Sequence, residues 1–474
     1  MFFKRIKTPG LAHNAYLLGD KHDAVLIDPR RDIEEYLRLA RENDLIIKYV
    51  VETHRQEDFV IGSREVAEKT GAKIVSLDHS LFGHSDIRLA DGETLTAGTL
   101  TLEALHTPGH TPESTCYAVY LKDIPHTAWG VFTGDTLFIG ETGRTDLTDP
   151  RRTRDNAGIL FDAIHEKLAP LGDQALLWPA HGSGSVCGGN IAERDESTLG
   201  LERASNPVFT RTRAAFSEAK LRERIPRPPY FSLMEKLNLK GGIPVAQKPD
   251  GVAMLPPKKF ASEIKQGIVL DGREPEAFAG GHIPGSYSVW LDGMAVFGGW
   301  LANQTTPVYL VLDEMNQLET AVLSLGRLGV DNIQGVLAGG FAAWRGAGQP
   351  IEYSGTVAPR ELAEARERYI ILDVRDDMEF EDEGHIADAR HMFVGYLDKH
   401  LGRIEGELDH KAAIAVVCSV GHRAGLAASV LRRNGYRNVK NLLGGMTAWT
   451  KLELPTKKGS EHSITTPDIE GKRE

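Results

Sequence analysis

Short apolar runs that end in polar loops recur along the first 180 or so residues of the chain. Runs rich in Val, Ile, Leu and Phe precede four loops whose conspicuous side chains are His54, His110, Asp135 and His181. Such runs predict buried β-strands, so each of these side chains is expected where a strand passes into a loop. Loops held by a rigid scaffold commonly carry ligand side chains. The pattern therefore predicts one site built from several separate loops.

A second pattern covers the C-terminal half, where two segments repeat each other at a nearly constant offset. IVLDGREPEAFAGGHIPGSYSV aligns with IILDVRDDMEFEDEGHIADARH, and VLAGGFAAW aligns with NLLGGMTAW. A constant offset indicates two copies of one domain. Each copy opens with an apolar strand and has helical stretches between strands, which predicts an α/β fold with a largely parallel sheet.

The stretch THRQEDFVIG, residues 53–62, predicts a single metal ion. A two-metal hydrolase would carry His-x-His-x-Asp-His here, whereas this chain has Gln56 and Phe59 where two of the imidazoles would be. A phenyl ring cannot bind a metal and an amide binds one poorly, so a two-metal clamp is disfavoured. Asp58 and His181 are then expected to orient ligands or bound water without holding a second ion.

The expected metal ligands are His54, His110 and Asp135. Two imidazoles and one carboxylate with an open face are typical of non-heme Fe(II) oxygenases. Zinc with three protein ligands and a water stays open on ligand type alone.

These three residues, together with the loop GETGRTD at residues 140–146, resemble the persulfide dioxygenases, Fe(II) relatives of glyoxalase II in the metallo-β-lactamase superfamily. The resemblance implies an α/β chain: an αββα sandwich with one Fe(II) and no second metal. It also implies oxidation of a low-molecular-weight thiol persulfide, carried by glutathione, coenzyme A or a similar thiol, with O2 to sulfite. Arg144 and Asp146 are the expected substrate-binding residues of this loop, and a structural ion pair between them is the alternative. The chain departs from the family at Gln56 and Phe59.

The repeated domain resembles rhodanese, a sulfurtransferase fold, and the motif CSVGHRA places the chemistry in the second copy. Cys418 precedes a helix whose N-terminal N–H groups, including that of Gly421, favour an anion and would hold a thiolate or persulfide. Arg423 is expected to add a fixed cation, and His422 to contact substrate. Four residues separate Cys418 from Arg423, one fewer than phosphatases of this fold need.

The first copy has Asp313 or a neighbour where the cysteine should be, so it is expected to be catalytically silent, as a spacer, docking surface or dimer contact. Three further residues are candidates for substrate contact. Cys187 follows His181 in a glycine-rich loop, with a packed thiol as the alternative, and Arg227 and Tyr230 are expected to border a substrate tunnel unless they belong to a packed linker.

We predict five segments in the 474 residues. They are a metallo-β-lactamase-like domain at 1–235, a linker at 236–255, a first rhodanese-like copy at 256–353, a second at 354–456, and a disordered tail at 457–474.

Three cysteines are too few for a disulfide framework. No run suits a signal peptide or a membrane span, so a cytoplasmic protein is expected. A net charge of −11 disfavours nucleic acid as a partner.

The expected function is persulfide oxidation coupled to sulfur transfer that forms or consumes thiosulfate at Cys418. Two other classes stay open: a two-metal thioester hydrolase of the glyoxalase II type fused to a sulfurtransferase, and a non-catalytic sulfur carrier or sensor. Homo-oligomerisation also stays open.

Overall fold

The computed structural model describes residues 1–404, 406 and 408–466. The chain divides into two compact units. The first contains residues 1–223 and 229–245, and the second contains residues 224–228 and the described residues from 246 to 466.

The first unit contains eleven strands and seven α-helices among its described residues. The strands are β1 (Phe2–Thr8), β2 (His13–Asp20), β3 (Asp23–Ile27), β4 (Ile46–Val51), β5 (Lys73–Leu77), β6 (Ile87–Leu89), β7 (Thr94–Ala97), β8 (Leu100–His106), β9 (Thr115–Leu121), β10 (Ile124–Gly134) and β11 (Leu176–Pro179). The helices are α1 (Glu34–Glu42), α2 (Ser63–Thr70), α3 (Thr153–Ala163), α4 (Leu199–Ser205), α5 (Pro207–Thr210), α6 (Arg213–Leu221) and α7 (Phe231–Asn238).

These elements form four layers, helix, sheet, sheet and helix. One sheet has the strand order β1-β2-β3-β4-β5-β6 and the other β11-β10-β9-β8-β7. Alternate residues of β3 point to opposite faces: Val25 packs between the sheets, whereas Leu26 packs with Tyr36 of α1. On the far side, Val131 of β10 packs with Leu160 of α3. The predicted αββα sandwich is confirmed.

The polar loops of the sequence pattern lie where the strands end. His54 follows β4, His110 lies between β8 and β9, Asp135 follows β10, and His181 follows β11. Backbone hydrogen bonds connect these loops. The N–H of Thr115 donates to the carbonyl of Thr53 at 2.8 Å, and the N–H of Ala180 donates to the carbonyl of Gly134 at 3.0 Å.

The second unit contains two parallel sheets. The first copy has β12 (Met254–Leu255), β13 (Ile268–Asp271), β14 (Tyr287–Ser288), β15 (Val308–Val311) and β16 (Ile333–Leu337), with α8 (Pro257–Glu263), α9 (Pro275–Gly280), α10 (Met294–Leu301), α11 (Leu318–Arg327) and α12 (Gly340–Gly346). The second copy has β17 (Thr356–Val357), β18 (Tyr369–Asp373), β19 (Arg390–Met392), β20 (Ala413–Val417), β21 (Val439–Leu442) and β22 (Ser463–Ile464), with α13 (Pro359–Glu364), α14 (Val394–His400), α15 (His422–Arg433) and α16 (Gly445–Lys451).

The repeat predicted from the sequence is visible in the strand order. The first sheet runs β12-β16-β15-β13-β14 and the second β17-β21-β20-β18-β19-β22, so five strands correspond one to one. All of these pairings are parallel.

Two predicted boundaries differ from the structure. Residues 457–466, expected to be part of a disordered tail, are ordered because β22 pairs with β19 and the N–H of Thr466 donates to Asp377 at 2.8 Å. Residues 467–474 of that tail lie outside the described residues. The predicted linker at 236–255 is also partly wrong, since its residues up to 245 pack with the first unit and include the end of α7.

Candidate functional site

His54, His110 and Asp135 converge in the interior of the first unit. Asp135 Oδ2 lies 3.7 Å from His54 Nε2 and 3.5 Å from His110 Nε2. All three side chains are buried, and none of these three atoms has a hydrogen-bond partner within the described part of the chain. Buried polar atoms are normally paired. Three unpaired atoms that face one another therefore fit a bound cation.

The other nitrogen of each imidazole is held by the protein. Thr53 Oγ1 donates to Asp28 Oδ2 at 2.7 Å, which leaves its lone pair to accept from His54 Nδ1–H at 3.0 Å. His110 Nδ1–H donates to the carbonyl of Arg144 at 2.8 Å. Hydrogen bonds of this kind set the tautomer and aim Nε2 at the metal.

The charges of the site favour metal binding. Burial lowers the pKa of His54 to about 3, so its imidazole is neutral and its Nε2 lone pair is free to bind an ion. Burial opposes ionisation of Asp135, but the surrounding histidines, His181 first among them, outweigh it and lower the pKa of the carboxyl.

His181 lies between two carboxylates. Its Nδ1 contacts Asp135 Oδ1 at 2.7 Å and its Nε2 contacts Asp58 Oδ2 at 2.9 Å. Burial opposes protonation, but the two carboxylates outweigh it and raise the pKa of His181 well above its usual value. With both nitrogens donating, His181 holds the Asp135 and Asp58 carboxylates in place through hydrogen bonds.

The Cys418 loop of the second copy lies between β20 and α15. Cys418 Sγ is buried and accepts a hydrogen bond from the N–H of Gly421 at 3.1 Å. Gly421 has a φ of 115°, which a side chain would strain, and α15 begins at the next residue. The N-terminal end of a twelve-residue helix thus faces the sulfur, an arrangement that favours an anion.

Comparison with known proteins shows which families the two parts of the chain match. The metallo-beta-lactamase superfamily matches residues 8–181, and the rhodanese-like domain matches residues 256–347 and 358–452. The persulfide dioxygenase ETHE1 of Bos taurus is 30% identical over 231 residues, which cover 48% of this chain and 84% of that protein. The chain belongs to the metallo-β-lactamase superfamily. Two rhodanese-like domains follow the metallo-β-lactamase domain.

Two further relatives cover different shares of the chain. A metallo-beta-lactamase structure from Staphylococcus aureus subsp. aureus COL is 30% identical, with a TM-score of 0.62, and covers 71% of this chain and 98% of that one. The hydroxyacylglutathione hydrolase GloC of Haemophilus influenzae is 31% identical over 211 residues, 40% of this chain and 89% of that protein. Within the described residues, no helix is long and apolar enough to cross a membrane.

In the metallo-β-lactamase domain, the predicted substrate residues Arg144 and Asp146 contact each other. Arg144 is buried, and its Nε and Nη2 donate to Asp146 at 2.7 and 2.9 Å, while Nη1 donates to the carbonyl of Val186 at 3.2 Å. These contacts match the structural ion pair left open by the sequence. Arg144 also accepts the His110 hydrogen bond through its carbonyl, so the ion pair fixes the backbone that positions the His110 imidazole.

Cys187 lies in a second cluster of possible ligands. The ligand atoms of Asp58, His181 and Cys187 lie within 4.8 Å of one another, and all three residues are buried. Burial raises the pKa of the Cys187 thiol well above its usual value, so the free protein does not hold a ready thiolate there. Phe59 is buried with its ring centre 4.2 Å from that of His13.

Tyr230 and Arg227, predicted together at a tunnel, fall in different units. Tyr230 is buried in the metallo-β-lactamase domain, and burial, with the nearby negative charge of Asp58, raises the pKa of its phenol. Arg227 belongs to the second unit, where its N–H donates to Tyr396 at 3.2 Å.

Two residues of the metal-binding domain were missed by the sequence reasoning. Glu57 lies inside the motif at a position where the expected pattern has no ligand, yet its carboxylate faces His54 and His110. Asn238, in the predicted linker, clamps the motif: its Nδ2 donates to the carbonyls of Gln56 and Phe59. Only the acidic side chain of Glu57 was a signal in the sequence.

In the rhodanese-like second copy, the carboxylate of Glu379 compensates the positive charge of Arg423. Its Nη1 and Nη2 each donate to a Glu379 oxygen at 2.6 Å, and Nη2 also donates to Ser419 Oγ at 2.7 Å. Burial opposes the charge, but Glu379 outweighs it and raises the pKa of Arg423. Sequence reasoning missed Glu379, because it lies in a distant π-helical turn, Glu379–Glu383.

The first copy has a leucine at the position of Cys418. Strand pairing aligns Val311 with Asp271 as it aligns Val417 with Asp373, so Leu312 is the equivalent of Cys418. Leu312 is the residue before Asp313, and its side chain has no nucleophilic atom.

The first copy also borders the Cys418 loop. The ring of His422 stacks on Trp290 with ring centres 4.8 Å apart, and its Nε2 contacts Glu274 Oε2 at 3.2 Å. His422 is therefore held beside the loop by residues of the first copy.

Proposed function

We propose that the metallo-β-lactamase domain is a mononuclear Fe(II) persulfide dioxygenase and that the second rhodanese-like copy is a thiosulfate sulfurtransferase. The observation that carries the proposal is the set of unpaired buried atoms on His54, His110 and Asp135, beside a Phe59 that cannot bind a second ion. The similarity to persulfide dioxygenase ETHE1 supports the substrate class.

The overall oxidation balances as a thiol persulfide, O2 and water giving the thiol, sulfite and two protons. A bound Fe(II) would supply the redox chemistry with O2 that side chains lack. The protein's own part is to aim both Nε2 atoms and the Asp135 carboxylate at one point. His181 holds a proton against Asp135, and the burial of the site excludes bulk water, which strengthens these electrostatic contacts.

A cavity of about 490 Å³ reaches His181, but its charges do not identify the thiol that would carry the persulfide. Its lining includes Arg5, Lys7 and Arg194, although acidic partners compensate these cations: Asp195 for the first two and Glu202 for the third. His54, His110 and Asp135 are not among its lining residues.

Sulfur transfer at Cys418 needs no metal. The Cys418 thiolate attacks the outer sulfur of thiosulfate, an S–S bond forms on the enzyme, and sulfite leaves with the electron pair of the broken S–S bond. The persulfide then passes its outer sulfur to an acceptor thiolate or, in reverse, to sulfite. The N–H of Gly421 and the start of α15 favour both anionic sulfur states.

The test is O2 uptake by the anaerobically iron-loaded chain with glutathione persulfide or coenzyme A persulfide. We expect uptake with one O2 per sulfite formed. His110→Ala should abolish uptake and keep the thiosulfate reaction, whereas Cys418→Ser should do the converse. No uptake with either persulfide contradicts the dioxygenase, and loss of uptake in Cys418→Ser contradicts two separate sites.

A two-metal thioester hydrolase is the second candidate, and the Asp58, His181 and Cys187 cluster is the observation that favours it. It predicts about two metal ions per chain and turnover of glutathione thioesters. One ion per chain and no thioester turnover would contradict it. A sulfur carrier or sensor would instead form a persulfide on Cys418 without consuming O2.

A further inference from the structure

Glu57 is a buried carboxylate aimed at the metal centre. Its Oε2 lies 3.5 Å from His110 Nε2 and 3.7 Å from His54 Nε2, the same separations that Asp135 Oδ2 shows. Its side chain is fully buried, and neither oxygen has a hydrogen-bond partner among the described residues. The ligand atoms of His54, Glu57 and His110 lie within 4.8 Å of one another.

The protein compensates the charge of Glu57 only in part. Arg55 Nε lies 3.7 Å from Glu57 Oε1, but it also lies 3.5 Å from Glu113 Oε1, so one guanidinium serves two buried carboxylates. An uncompensated buried charge is strongly unfavourable, even after local relaxation. The oxygen turned away from Arg55 therefore needs a cation, and it faces the two imidazoles.

The separations also suit a shared ion. Two ligand atoms that each lie about 2.1 Å from one ion at a tetrahedral or octahedral angle are about 3.0 to 3.4 Å apart. The Glu57 contacts of 3.5 and 3.7 Å are slightly longer than this and too long for good hydrogen bonds. A small inward movement of the ligands onto an ion would bring them into range.

We propose that Glu57 is a fourth protein ligand of the metal centre, so that the ion is held by two imidazoles and two carboxylates. This inference rests on the metal site of the proposed function. A second carboxylate balances both charges of a divalent ion and leaves two positions of a six-coordinate ion for outside ligands, instead of the three of a two-His-one-carboxylate site. Two positions admit O2 beside a persulfide bound through one atom, and they exclude a chelating substrate with O2.

The test is metal affinity, measured without turnover. The metal-free full-length protein is titrated anaerobically with Co(II) against a competing chelator, and the visible absorption of the bound Co(II) is recorded. We expect Glu57→Gln to weaken Co(II) binding by at least about a hundredfold, since even groups that only orient ligands contribute about ten- to a hundredfold. The absorption spectrum of the Co(II) that still binds should change as well.

Glu113→Gln is the matched control, because Glu113 is equally buried and shares Arg55 but has no contact with an imidazole nitrogen that the structure records. Its Co(II) affinity should stay within about threefold of wild type, well below the effect expected for a ligand. Glu57→Asp keeps the charge but withdraws the carboxylate by one methylene, so it should also weaken Co(II) binding. This variant replaces Glu57→Gln in the test if circular dichroism shows that Glu57→Gln is unfolded.

A missing Glu57 ligand and a missing metal centre would give different results. If wild type binds one Co(II) and Glu57→Gln, folded, matches it in affinity and spectrum, Glu57 is not a ligand and the proposed function stands. If wild type binds no Co(II) or Fe(II), the metal centre itself is wrong.

Discussion

Removing the side chain of Asn238 should loosen the metal-binding motif without touching a ligand. Asn238 is the last residue of α7, and its amide makes three buried hydrogen bonds to the backbone of the motif. Nδ2 donates to the carbonyls of Gln56 at 2.6 Å and Phe59 at 2.8 Å, and Oδ1 accepts from the N–H of Ile61 at 2.9 Å. Asn238→Ala leaves all three backbone groups buried without that partner.

The three contacts set the size of the effect. Each buried hydrogen bond contributes about 0.5 to 1.5 kcal/mol net, and a stranded partner adds to the loss, so we expect about 2 to 4 kcal/mol. At about 1.36 kcal/mol per factor of ten, opening of the motif becomes roughly 30- to 1000-fold more frequent. The loss is local, because the motif is one segment of a larger domain.

Amide hydrogen exchange measures this opening directly, whereas a global unfolding free energy is poorly defined for a chain of several domains. Protection of the amides at residues 53–61 should fall by the factor above, and Co(II) affinity should fall with it. Asn43→Ala is the control, since the amide of Asn43 makes a single exposed hydrogen bond to the carbonyl of Leu39. Protection at residues 53–61 that changes less than about threefold in Asn238→Ala would refute the clamp.

Two further predictions concern close packing and charge. Gly143→Ala would place a Cβ 2.0 Å from the carbonyl oxygen of Asp135, a backbone atom that cannot move aside, so Co(II) affinity should fall more than about tenfold. Gly83→Ala is the control: its Cβ would have no atom within 4 Å, so the Co(II) affinity should stay unchanged. Glu379→Gln removes the charge that compensates Arg423, so the KM for thiosulfate should fall about three- to tenfold, a modest factor because the pair is partly exposed. A raised KM would show that Glu379 acts by holding Arg423 in place.

The local sequence pattern was enough to predict where several strands end, the internal repeat and the loop before α15. The strand-to-loop positions of His54, His110 and Asp135 follow from short apolar runs, because strands of a buried sheet need them and loops carry the polar residues between them. The repeat follows from self-similarity, and the parallel order of both sheets agrees with it. The loop before α15 also follows from local residue types, since glycine after the cysteine permits the turn into the helix.

Tertiary structure alone decided which side chains share the sites. The motif gave a role to Asp58, which contacts His181, but none to its neighbour Glu57, whose carboxylate faces the imidazoles. Asn238 is far from the motif in sequence, and Glu379 is far from Arg423. Periodicity and composition report which residues prefer burial or a turn, whereas a shared site depends on how distant segments pack, and that is set by the whole domain.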